Sequence, residues 1–182
     1  MLVGRDHVLR AAETALGRAF AGDGRLVLLA GEAGIGKTSV ARAIAGRAEA
    51  DGAIVRWGVC WEGQESVPFA LWIDCLRRPG GDACASAASR LEEGGFEATA
   101  DGGGAARGRL RLHAAVVDAI ADAAASRPQV IILDDLHWAD APSVDLLVAV
   151  AAHLPSMPTL IVGTYRDDEL GPASPLLSVG GN

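Results

Sequence analysis

The chain has 182 residues, of which 50% are hydrophobic and 21% charged, a balance that allows one sizeable core and excludes a disordered polypeptide. A formal net charge of -7 repels a phosphate backbone and argues against direct binding of DNA or RNA. Cys60, Cys75 and Cys84 lack C-x-x-C spacing and fit reduced thiols in a cytoplasmic protein; no signal peptide and no membrane span can be read from the sequence.

Apolar residues at Leu9, Ala12, Leu16 and Phe20 recur at helical spacing, and Gly22-Asp23-Gly24 ends the pattern, which predicts an amphipathic helix over Asp6 to Phe20. The run Leu26 to Ala30 is too short for a helix and reads as a buried strand. It is followed by a glycine loop, Gly31 to Lys37, and a helix from Thr38 to about Glu49 with Val40, Ile44 and Ala48 on one side. Ala53 to Cys60 reads as a second strand and Val67 to Arg78 as a helix. Trp57 and Trp61 flank that strand, where a core or interface role outweighs ligand stacking.

From Pro79 to Gly108 the pattern fades into alanine, glycine and acidic residues, as in a surface excursion with one short helix near Ala85 to Glu92. Periodicity returns with Leu112, Val116, Ala119, Ile120 and Ala123, a helix closed off by Pro128. Val130 to Leu133 is then a continuously apolar strand ending in Asp134-Asp135. Asp140 is placed to cap the next helix, with Pro142 in its first turn. Thr159 to Thr164 completes the set as a further buried strand. Strands alternating with helices, each strand apolar on both faces, imply an α/β fold with a parallel sheet covered on both sides.

Gly31-Glu32-Ala33-Gly34-Ile35-Gly36-Lys37-Thr38 matches G-x-x-x-x-G-K-[ST] between a strand and a helix, the setting this phosphate-binding motif requires. Its lysine is the only one in the chain; the other fifteen cationic side chains of the 16 are arginine. Glycines let successive backbone N–H groups and the positive end of the next helix face an anion, and a compact ammonium enters that cradle where a planar guanidinium does not fit. In this motif Lys37 reaches the β- and γ-phosphates of a nucleotide, and the Thr38 hydroxyl binds Mg²⁺. An acid at the carboxyl end of a neighbouring strand can hold the same ion, the role expected of Asp134, while Asp135 is placed to orient or deprotonate an attacking water.

These residues, with Leu136-His137-Trp138-Ala139-Asp140 and Val162-Gly163-Thr164-Tyr165-Arg166, resemble the ATPase module of the STAND class of AAA-related regulators. Such modules occur in large LuxR-type transcriptional activators and in adenylate cyclase or protein kinase fusions. The resemblance runs from about Leu2 to Leu170 and is weak between Pro79 and Gly108. It implies a three-layer P-loop NTPase sandwich over residues 1–170, with 79–108 a variable excursion and 171–182 a truncated tail. It implies ATP and Mg²⁺ as cofactors, held by Gly31 to Ser39, with Gly4 and Arg5 against the adenine. Arg166 matches the arginine that contacts the γ-phosphate, and Thr164 is a weaker candidate for that sensing role. His137 and Trp138 are expected to pack and shape the loop.

In this class a fifth strand lies beside the first, giving the order 5-1-4-3-2, and a helical lid and winged-helix domain follow. None of these is read in this chain, so the expected order is 1-4-3-2, with the first strand an apolar edge open to self-association. The leading expectation is an ATP-binding switch module of a signal-transducing regulator with slow hydrolysis at best, its lid, winged-helix and effector domains lying in a longer relative. The alternative is an interaction fragment or inert remnant that does not turn over ATP. A small-molecule kinase shares the loop, but should carry an acceptor-binding lid and no segment like that of Arg166.

Overall fold

The computed structural model describes residues 6–63, 67–77, 83–99 and 103–169. In chain order the elements are α1 (Asp6–Phe20), β1 (Arg25–Ala30), α2 (Lys37–Ala50), β2 (Ile54–Val59), α3 (Ala70–Arg77), α4 (Ala83–Thr99), α5 (Gly103–Ser126), β3 (Gln129–Asp134), α6 (Ala141–Ala151) and β4 (Thr159–Tyr165). The strands form one parallel sheet in the order β1-β4-β3-β2, as expected. Parallel neighbours need crossovers, and the intervening helices supply them on both faces.

Alternation along the two central strands divides the core. Val130 and Ile132 of β3, with Leu160 and Val162 of β4, point to α1 and α2 and meet Ala12, Leu16, Val40, Ile44 and Ala48. Ile131, Leu133 and Ile161 point the other way, into a larger cluster built from α3 to α6 that contains Trp72, Leu91, Ile120 and Leu147. Every residue of β3 is buried, which is why its middle, Val130 to Leu133, reads as an unbroken apolar run. Among the described residues β1 pairs only with β4, and Leu26 to Leu29 are half-buried.

The stretch expected to be mostly excursion is instead largely helical. The helix anticipated over 85–92 runs from Ala83 to Thr99, and the next begins at Gly103 rather than near Leu112. The two run antiparallel: the Cys84 thiol lies 3.5 Å from the Ala119 carbonyl oxygen, and Gly94 faces Leu112. Alanine is the best helix former. Cys84, Ala87, Ala88 and Leu91 are buried against α5, so small side chains allow close packing while giving little hydrophobic contrast along the sequence.

Asp140 does cap α6: its Oδ1 accepts from the Ser143 N–H at 2.9 Å, and a proline occupies the first turn. The same oxygen accepts from the Phe69 N–H at 3.2 Å, and the Trp72 indole donates to the Ser143 carbonyl at 3.0 Å. One carboxylate thus fixes the start of α6 and ties α3 to it. Trp57 packs against the α1/α2 side of the core, whereas Trp61 is 57% exposed on the rim of a cleft of about 420 Å³ with Ile73 and Arg77.

Candidate functional site

The site lies at the carboxyl ends of β1, β3 and β4, where α/β sheets place their ligands. After Ala30 the chain turns through Gly31 at φ 147°, Gly34 at φ 73° and Gly36 at φ 93°, a backbone that favours glycine at each point. Glu32, Ala33, Gly34 and Ile35 are exposed along this loop. Gly36 caps α2 without any side-chain hydrogen bond, so the first N–H groups of a 14-residue helix face the loop with no capping side chain.

Lys37 is 8% exposed, and its ammonium donates to the Gly31 carbonyl at 2.7 Å and the Glu32 carbonyl at 3.0 Å. The lysine therefore lies across its own loop. Ser39 is exposed on the first turn of α2.

Asp134 ends β3, 5% exposed, and its Oδ1 is a meeting point. It accepts from the Thr164 hydroxyl at 2.6 Å and from the Thr38 hydroxyl at 3.2 Å. Thr164 is fully buried, and its oxygen also accepts the Asp135 N–H at 2.9 Å. Strand register explains this convergence: Leu133 pairs with Gly163, so the next residues, Asp134 and Thr164, stand side by side. Register also pairs Ala30, the residue before Gly31, with Tyr165, the residue before Arg166.

Asp135 is one of two non-glycine residues at positive φ among the described ones, at φ 60° and ψ 47°, and it starts the 3₁₀ turn Leu136–Trp138. Aspartate tolerates this left-handed conformation better than most residues. The His137 side chain is wholly buried, its ring 5.2 Å from that of Trp138. His137 Nδ1 lies 3.9 Å from Asp135 Oδ1, and Nε2 lies 3.3 Å from Glu169 Oε2, neither in an aligned hydrogen bond. Burial pushes the imidazole below its ordinary pKa; Asp135 and Glu169 oppose this, and Arg166 and Lys37 reinforce it. Arg166 donates to Glu169 Oε1 at 2.5 Å, a bond that raises the guanidinium pKa.

The structure thus brings together Gly31 to Thr38, Asp134, Asp135 and Thr164, with Arg166 at the adjoining strand end. Gly4 and Arg5 lie outside the described residues. Glu169 was missed in the sequence; its i,i+3 spacing from Arg166 was the available signal. The Thr38 hydroxyl and the Asp134 carboxylate are hard oxygen donors that could hold a divalent cation. Among the described residues no group of three or more His, Cys, Asp or Glu side chains could do so. A cation here would take its other ligands from water and phosphate, which fits Mg²⁺ rather than a cage-bound metal.

Among the described residues no helix is long and apolar enough to cross a membrane. None of the curated proteins is similar enough in sequence to count as a relative. Solved structures share the fold, two of them as follows. One is PCH-2 of C. elegans, 13% identical, with a TM-score of 0.52 over 96% of this chain and 40% of that one. The other is a DNA replication initiation factor, 15% identical, with a TM-score of 0.50 over 97% of this chain and 43% of that one. This chain therefore spans about two fifths of the length of either. The family model for the AAA ATPase domain matches residues 1–162, a span that takes in the glycine loop and Asp134-Asp135 and stops just short of Arg166. With most of its length matched, the chain belongs to the AAA ATPase domain family and carries that family's nucleotide-binding α/β fold.

Proposed function

We propose that the chain is an ATP- and Mg²⁺-binding switch module of a signal-transducing regulator, with slow hydrolysis at best, working in the cytoplasm. The observation that carries this reading is the Asp134 carboxylate, which receives the Thr38 and Thr164 hydroxyls directly beside the glycine loop. In this reading the backbone from Gly31 to Ser39 cradles the phosphates, and Lys37 leaves the Gly31 and Glu32 carbonyls to reach the terminal ones. Thr38 and Asp134 would hold Mg²⁺, which when bound would neutralise phosphate charge. Thr164 fixes the Asp134 carboxylate, Asp135 orients the attacking water, and Arg166 reads the γ-phosphate. Gly4 and Arg5 are assigned to the adenine by resemblance alone. In a longer regulator this switch would act on lid, winged-helix and effector domains.

Thermal unfolding with Mg²⁺ and ATP at a hundredfold excess over Kd should show stabilisation of roughly 2.7 kcal/mol. Lys37→Ala should abolish that shift. An unshifted wild type, or an equal shift in the variant, contradicts the reading.

The non-hydrolysing alternative draws support from Arg166, which is engaged by Glu169. Phosphate release in a single turnover separates the two. Release that disappears in Asp135→Asn, a change that keeps a residue tolerant of φ 60°, supports a hydrolytic switch, and no release from wild type supports the alternative.

A further inference from the structure

Four charged or titratable side chains form a line along the edge of the site. Arg166 Nη1 donates to one oxygen of Glu169 at 2.5 Å, and the other oxygen of Glu169 lies 3.3 Å from His137 Nε2. On the far side of that ring, Nδ1 faces Asp135 Oδ1 at 3.9 Å. The imidazole side chain is wholly buried beside Trp138, whereas the Arg166 and Glu169 side chains are 34% and 31% exposed. Glu169 therefore has a buried ring on one side and a partly exposed guanidinium on the other.

A guanidinium presents the same fork of donors to a carboxylate and to a phosphate. An arginine already on a carboxylate must leave it, at least in part, to serve a phosphate. A partly exposed ion pair is weak enough for this exchange to occur, yet its loss still counts against the incoming ligand.

We propose that Glu169 is a specificity-determining residue: it competes with the γ-phosphate for Arg166, and the buried His137 ring backs it on the other side. This rests on the ATP-binding reading above and deepens it. A diphosphate leaves Arg166 on Glu169, whereas a triphosphate draws it away, so Glu169 sets the preference for ATP over ADP.

The test is calorimetric titration of the full chain with Mg²⁺ and either ADP or the non-hydrolysable β,γ-imido analogue of ATP. Glu169→Gln should tighten the triphosphate analogue about threefold, the effect of losing one partly exposed ion pair, and leave ADP unchanged. In an Arg166→Ala background, Glu169→Gln should have no effect on the ratio of the two affinities. His137→Phe, which keeps a buried ring but no nitrogen, should move that ratio in the same direction by less; a merely structural loss would weaken both ligands alike. The competition is overturned if Glu169→Gln leaves the ratio unchanged, or changes it equally without Arg166. A wild type that binds neither nucleotide refutes the ATP reading and the competition with it. A wild type that binds both, loses both in Lys37→Ala and ignores Glu169→Gln refutes the competition alone.

Discussion

Thr164 illustrates how much of the site depends on one hydroxyl. It donates to Asp134 Oδ1 at 2.6 Å and accepts the Asp135 N–H at 2.9 Å, so it orients the carboxylate and supports the left-handed turn that follows. Thr164→Val keeps the shape and removes both bonds. It should lower stability by about 1–3 kcal/mol, because a buried carboxylate loses the shorter of its two hydroxyl donors and the Asp135 N–H loses its acceptor. Urea denaturation of both proteins checks this, and an unchanged midpoint would count against it. The glycine loop, Lys37 and Asp134 were legible in the sequence because local spacing carries their chemistry. Thr164 was legible only as a weak sensor candidate, since its partnership with Asp134 depends on the register of two strands. His137 was expected simply to pack; it is packed, but between Asp135 and Glu169, an arrangement that sequence spacing does not reveal.

At the scale of elements, β2 and α3 meet at a position where only glycine fits. A Cβ at Gly58 would stand 2.7 Å from the Leu71 carbonyl oxygen and 3.1 Å from Cys75 Cβ, so the helix would have to move off the strand. Gly58→Ala should therefore cost about 1–3 kcal/mol, as overpacking of a tight core does. Thermal melts would show a lower Tm, and an unchanged Tm would mean that α3 shifts freely. The buried strands were legible as apolar runs bounded by Gly, Pro or Asp, and α1 as a helix of clear period. Helices α4 and α5 were not fully legible: their contact depends on Ala87, Ala88 and Gly94, which give weak periodicity. The Asp140 cap was legible, but its hold on the Phe69 N–H was not, because that bond joins residues far apart in the chain.

At the scale of the whole molecule, the sheet order β1-β4-β3-β2 puts the loop-bearing strand next to β4 and one strand away from β3. Thr38 from α2 can then reach Asp134 from β3 while Thr164 supports it from between. Two clusters on opposite faces pack the strands whose ends meet here, so the site is built on regular elements with the glycine loop exposed beside them. The proposed binding of ATP with Mg²⁺ through Lys37 can be measured by isothermal titration of the chain with ATP, in Mg²⁺ and again in EDTA. Saturable binding at one site per chain, weakened in EDTA and lost in Lys37→Ala, is expected; no saturable heat from the wild type, or binding unaltered in the variant, would refute it.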